Sequence, residues 1–245
     1  SGSMDGYMCD GSQLKDAVFD YVSDLSVCSD TTSLNYINNR IIPYKGSLEQ
    51  YIKTMTPTTF QKAGGNHSNS DLGEMLKMIL QEMTDTSVSI FISDCILDLP
   101  VSNSQKFLSR CQISIKNAIN EGRNKIPDLG VEIIKMTSDF NGKYYYPNGG
   151  IEKLKYVKRP YYIWIFGNNN ILAKLNSVVP VNELKDFGFE GIVAYSKKVA
   201  APYEIKNRSL TSTTINPTKG NYNATIRVNL SSTLQPETII QDLSN

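Results

Sequence analysis

Two hydroxyls one residue apart, Ser1 and Ser3, open this 245-residue chain in the stretch Ser1-Gly2-Ser3-Met4-Asp5-Gly6-Tyr7, which leads straight into a helical pattern. A strand ending just before Ser1 would place both hydroxyls at the carboxyl edge of a sheet, beside a helix N-terminus. Oxygen ligands for a hard cation gather at such a place. A short Ser/Gly run ahead of a Met is also what an expression vector leaves behind, so the rest of the chain has to decide. Two further oxygen-rich positions exist. The polar loop 63–70 opens a helix with Ser70 before Asp71-Leu72, Ser68 being the second candidate, and Asp94 ends the apolar run 87–93. Hydroxyl and carboxylate oxygens without His or Cys suit Mg²⁺, Ca²⁺ or Mn²⁺ rather than zinc or copper. Neutral hydroxyls with one or two acids leave the cation electron-poor, so an incoming carboxylate is favoured as the last ligand. That is binding chemistry and requires no catalysis.

Each of these residues also has a plain reading. Ser70 can simply cap the following helix, and Ser68-x-x-Asp71 has capping-box spacing. Asp94 can be a turn acid, as can Asp98, and Asp5 a charge at a helix start. His67 is the only histidine, in a polar loop, so no Ser/His/Asp triad can be assembled. No P-loop, G-x-G-x-x-G or G-x-S-x-G occurs, which argues against an enzyme. Cys9, Cys28, Cys95 and Cys111 form no C-x-x-C pair, so zinc is not expected; Cys95 and Cys111 read as buried free thiols. Lys+Arg number 25 against Asp+Glu 24, so no net field draws the chain to nucleic acid or acidic membrane. Trp164 and Tyr144–Tyr146 read as core and strand surface rather than a base-stacking platform. No apolar run approaches the roughly 18 residues of a membrane span.

The elements that must position these residues follow from periodicity. Helices are predicted at 12–26, capped by Ser12 or Asp10, and at 47–55, 71–84, 104–121 and about 169–177. Strands are predicted at 33–43, 88–93, 130–136 and 161–167, with a turn at Pro147-Asn148-Gly149-Gly150. Strands alternating with helices argue an α/β fold, a doubly wound, mostly parallel sheet with helices on both faces. The run 88–93 is apolar on both faces, as a central parallel strand should be. Ligands of such sheets bind beyond the carboxyl ends of the strands, where Asp94 stands. From about residue 188 short β-prone runs (192–195, 224–228) lie between Thr/Ser/Asn/Pro loops. This predicts a domain at 1–186 followed by a β-rich extension, or the start of an all-β domain, at 187–245.

The combination resembles the von Willebrand factor A (integrin I-like) family and its metal-ion-dependent adhesion site, whose signature is D-x-S-x-S, a Thr in a second loop and an Asp ending a later strand. Ser1-Gly2-Ser3 is similar to the S-x-S, Gly64-Gly65 through Ser70-Asp71-Leu72 to the second loop, and Ile92-Ser93-Asp94 to the strand end. Residues 1–180 look more closely like a bacterial, Bacteroidetes-type group of the family, through Gly64-Gly65-Asn66, Ile90-Phe91-Ile92-Ser93-Asp94-Cys95-Ile96 and Arg159-Pro160-Tyr161-Tyr162-Ile163-Trp164. Two positions depart from the signature. The first Asp would lie two residues before Ser1, in a first strand expected upstream of this sequence, and Ser70 replaces the Thr. The resemblance implies a von Willebrand A, Rossmann-like fold. It also implies Mg²⁺ (or Ca²⁺ or Mn²⁺) held by Ser1, Ser3, Ser70 and Asp94, and a protein ligand presenting Asp or Glu. The expected function is cation-dependent protein binding. The alternatives are a scaffold subunit with a vestigial site and, less favoured, a Mg²⁺-dependent phosphohydrolase.

Overall fold

Along 161–166 the sequence Tyr-Tyr-Ile-Trp-Ile-Phe is β-branched or aromatic at every position. It therefore suits a strand covered on both faces. The computed structural model, which describes residues 2–9, 11–66, 71–96, 104–146 and 150–195, places it there. The chain runs from a 3-10 helix, Gly2–Met8, through α1 (Gln13–Val27), β1 (Leu34–Ile37), β2 (Ile41–Tyr44), α2 (Leu48–Thr54), α3 (Pro57–Lys62) and α4 (Leu72–Glu82). It continues through β3 (Val88–Ser93), α5 (Ser104–Lys125), β4 (Leu129–Tyr145), β5 (Ile151–Asn168), α6 (Asn169–Val178), a second 3-10 helix (Val181–Phe187) and β6 (Phe189–Ala194). The main sheet has the order β3-β5-β4-β6, and β1 and β2 form a separate hairpin.

The fold is mixed α/β, with helices packed on both faces of the main sheet. Tyr161, Ile163 and Ile165 of β5, with Ile134, Met136 and Phe140 of β4, share one cluster with the N-terminal 3-10 helix, α1 and the second 3-10 helix. Trp164 and Phe166, with Leu129 and Val131, join α4 and α5 on the other face. The period-2 alternation of a strand thus serves two cores at once.

The parallel, doubly wound arrangement expected from the sequence is not what forms: every strand pairing among the described residues is antiparallel. The reason lies at 145–151. β4 ends at Tyr145 and β5 begins at Ile151, and so short a connection returns the chain antiparallel, since a parallel neighbour needs a crossover of a dozen or more residues. The chain between β3 and β4 does carry such a crossover, α5. Both strands run antiparallel to β5, so they share a direction, but β5 lies between them. Consequently β3 is not central. It pairs with β5 alone among the described strands, although Phe91 is buried in one cluster and Ile90 and Ile92 pack against the other.

Three sequence expectations change in detail. The strand read over 33–43 is a hairpin turned at Asn38-Asn39-Arg40, with Pro43 on its second strand opposite Asn35; proline is tolerated on such an edge. A helix the periodicity did not show, α3, follows α2. It starts with Pro57 in its first turn and Thr56 as its cap, in a reciprocal capping box with Thr59. β4 and β5 are longer than predicted, with a bulge between Phe140 and Gly142. The strand expected at 224–228 lies outside the described residues.

The bulge lets the N-terminal 3-10 helix lie directly on β4. A Cβ on Gly142 would meet the Gly6 Cα at 2.7 Å, and one on Gly6 would meet the Phe140 ring at 2.4 Å. Two backbones approach here with no space for a methyl group. Gly142→Ala is expected to destabilise the fold by about 1–3 kcal/mol, the usual cost of forcing extra volume into a packed contact. Urea unfolding would measure it, and an unchanged midpoint would show that the 3-10 helix is not held at this contact.

Candidate functional site

Ser12 anchors the start of α1 twice: its hydroxyl donates to the Tyr7 carbonyl (2.8 Å) and accepts from the Lys15 amide (3.4 Å). It is the helix cap, as expected, and it ties the 3-10 helix to α1. Leu14 N–H donates to the buried Ser138 hydroxyl of β4 at 3.0 Å. The Tyr7 hydroxyl donates to the Pro160 carbonyl of β5 at 2.6 Å, and its ring packs edge-on against Phe140. The 3-10 helix is thereby pinned to both long strands, and Ser3 is delivered to the carboxyl end of β3.

There Ser3 and Asp94 meet. Both are buried, at 5% and 6% exposure. The Ser3 hydroxyl donates to the Asp94 carboxylate, the Ile96 amide donates to Oδ1 at 3.3 Å, and the Asp94 amide lies 3.1 Å from the Met4 sulfur. Oδ2 is buried with no hydrogen-bond partner. Burial pushes the Asp94 carboxyl above the usual carboxylate range, and the hydrogen bonds from Ser3 and Ile96 only partly offset it. A buried carboxylate oxygen without a donor, beside a buried hydroxyl, has the donor chemistry of two ligands of a hard cation.

Of the other two expected ligands, Ser1 and Ser70 lie outside the described residues, as do Ser68, His67 and Asp98. What is described on either side of the second loop is well held. Asn38, buried in the β1–β2 turn, donates from Nδ2 to the Gly64 carbonyl at 2.9 Å, and the Asn66 amide donates to Asn39 Oδ1 at 2.8 Å. A Cβ on Gly65 would sit 2.1 Å from Asn38 Oδ1, and Gly65 has φ +79°, so this position requires glycine twice over. On the far side Asp71 caps α4, accepting from the Glu74 amide at 3.2 Å. The helix cap is therefore supplied by Asp71 itself.

Other expectations resolve more quietly. Asp5 is half-buried and accepts from Gln61 of α3 at 3.3 Å. Cys95 lies just past β3 rather than in it, with φ +52°. It is a free, half-buried thiol whose pKa burial pushes up to about 11, which makes it unreactive. Cys111 is likewise free and half-buried. No group of three or more His, Cys, Asp or Glu side chains comes together among the described residues; the donor set read from the sequence has only one such side chain. No helix among the described residues is long and apolar enough to cross a membrane.

Three residues beside the site had no role in the sequence reading. Tyr7 and Arg159 are hydrogen-bonded, and Asp94 and Arg159 both act electrostatically on the Tyr7 hydroxyl, whose pKa is raised chiefly by burial. Arg159 in turn lies over the Tyr144 ring, 4.0 Å from its centroid. Tyr7 ends the opening stretch and Arg159 stands within a string quoted for the family resemblance, but their meeting depends on two segments about 150 residues apart.

Comparison with known proteins returned no matching family model, no matching curated protein and no matching solved structure.

Asp94 generates a pH prediction. Its folded-state pKa is raised, so the folded protein holds this proton more tightly than the unfolded chain does. As pH rises above the ordinary Asp value of about 3.8, the carboxyl of the unfolded chain ionises first and stability falls. The loss is complete once pH passes the folded-state value. Without divalent cation, Asp94→Asn is therefore expected to raise stability at pH 7 by about 1–3 kcal/mol, the scale of an unsatisfied buried polar atom. The gain should shrink towards pH 4. A pH-independent difference in melting temperature would contradict this.

Proposed function

We propose that this chain is a divalent-cation-dependent protein-binding module whose site resembles the adhesion site of von Willebrand A domains but is carried on an antiparallel sheet. Ser3 and Asp94 would hold a Mg²⁺-class ion, Ser1 and Ser70 would complete the protein's share, and an Asp or Glu of a protein partner would supply the last ligand. The observation that carries this reading is the orphaned, buried Oδ2 of Asp94, hydrogen-bonded through its carboxylate to Ser3 and standing at the carboxyl end of an apolar strand. A carboxylate kept in that position costs folding stability by itself; a cation would offset the cost. The bound ion would supply a Lewis-acidic point for a carboxylate oxygen. The protein's own contribution is to fix the donors through the 3-10 helix and to keep Asp94 shielded from water.

The β4–β5 hairpin beyond β3 supports an acidic partner. It exposes Lys143, Lys153 and Lys155, and Lys158 forms an ion pair with Asp139 at 3.1 Å.

Mg²⁺ at a hundredfold excess over its Kd should stabilise the protein by about 2.7 kcal/mol, a rise of about 5–10 °C in melting temperature for a chain of this size. Asp94→Ala should abolish the rise and Ser3→Ala should reduce it. A melting temperature indifferent to Mg²⁺ and to EDTA would remove the metal from the reading. Partner capture insensitive to EDTA would favour the scaffold alternative.

A further inference from the structure

The antiparallel register sets a second charged group near Asp94. Ser93, the last residue of β3, pairs with Tyr162, so residues of β5 that precede Tyr162 continue past the carboxyl end of β3. Arg159 is three positions further on, about 10 Å at the rise of a strand, while Asp94 has moved one position the same way; the two are offset by about 7 Å along the strand direction. Arg159 and Tyr161 share a face by alternation, and Tyr161 packs in the cluster that holds Tyr7 and Met4. Arg159 is half-buried, its guanidinium is hydrogen-bonded to the Tyr7 hydroxyl and lies over Tyr144, and its Nε is buried with no hydrogen-bond partner. A half-buried guanidinium held against an aromatic ring, with five N–H donors and few of them used within the fold, suits a carboxylate brought by a partner.

We propose that Arg159 is a second anchor for the partner, receiving a carboxylate distinct from the one that completes the cation's shell, so that the surface selects an extended acid-x-acid segment. This rests on the reading of the Ser3–Asp94 corner as a cation site. One carboxylate, whose two oxygens share a single carbon, does not span an offset of about 7 Å between the two positions. Acids two residues apart in an extended chain point the same way about 7 Å apart, which matches the offset. The stack on Tyr144 and the bond to Tyr7 fix the guanidinium, so little side-chain entropy is lost on binding. The exposed Lys143, Lys153 and Lys155 of the same hairpin supply a favourable field for an acidic segment.

The test uses the full chain with millimolar Mg²⁺ and two fluorescent probe peptides, acetyl-Gly-Asp-Gly-Asp-Gly-amide and acetyl-Gly-Asp-Gly-Asn-Gly-amide, read by polarisation. The doubly acidic peptide should bind about tenfold more tightly, about 1.4 kcal/mol. Arg159→Gln should erase that preference while leaving the thermal shift caused by Mg²⁺ alone unchanged. Tyr144→Leu, which removes the face under the guanidinium but keeps the charge, should reduce the preference in part and guards against misfolding of the first variant. Equal binding of the two peptides by the wild-type protein, absence of binding to both, or a preference that survives Arg159→Gln would overturn the proposal. Failure of the cation reading has a different signature: no Mg²⁺ thermal shift, with the Arg159-dependent preference persisting in EDTA, which upholds the anchor alone.

Discussion

The contact of the N-terminal 3-10 helix with β4 governs the candidate site. Gly6 and Gly142 meet backbone to backbone, the Phe140 ring closes over Gly6, and Tyr7 is buried against Phe140 and Tyr161 of the two long strands. Only this approach brings Ser3 down onto Asp94. A seven-residue 3-10 helix has little stability of its own. It is held by what it buries (Met4, Tyr7 and Met8) and by the hydroxyl of Ser12 that links it to α1. The geometry of the site is thus a packing result, imposed by a bulged strand and two glycines some 135 residues apart.

The energetic character of the corner follows from that packing. Enclosing Asp94 makes its charge expensive and leaves Oδ2 unsatisfied, while Arg159, beside Tyr7, has an unsatisfied Nε. Glu132 is a second carboxylate enclosed by the same sheet: it is fully buried, and its Oε1 accepts from Asn176 at 2.8 Å. At the edge beyond β3, Asp94 and Arg159 both act on the Tyr7 hydroxyl, with opposite signs.

The second loop illustrates positioning by side-chain amides. Asn38 and Asn39 occupy a hairpin turn and reach across to Gly64 and Asn66. The Gly64-Gly65-Asn66 string is therefore a docking surface for that turn, with positive φ at both glycines. The Tyr36, Tyr44, Tyr51 and Phe60 rings pack against one another, edge-on except for the tilted Tyr36–Tyr51 pair, joining the hairpin to α2 and α3. The loop's start is fixed by an element, β1–β2, that the sequence reading took for a single strand.

By itself the sequence determined the local elements. The periodic helices over α1, α4 and α5, the Ser12 cap, and the doubly apolar runs at 88–93 and 161–166 each carry their signal within a window of a few residues. Asp94 at a strand end and Ser3 near a helix start were legible for the same reason. Tertiary structure alone decided the direction and order of the strands. An apolar run reads alike in a parallel or an antiparallel sheet, and the short return from β4 to β5 placed β5 between β3 and β4. Tertiary structure also decided which distant groups meet: Ser3 with Asp94, Gly6 with Gly142, Tyr7 with Arg159. Such encounters depend on register and on the depth of packing between remote segments, neither of which is encoded in the spacing of any single stretch.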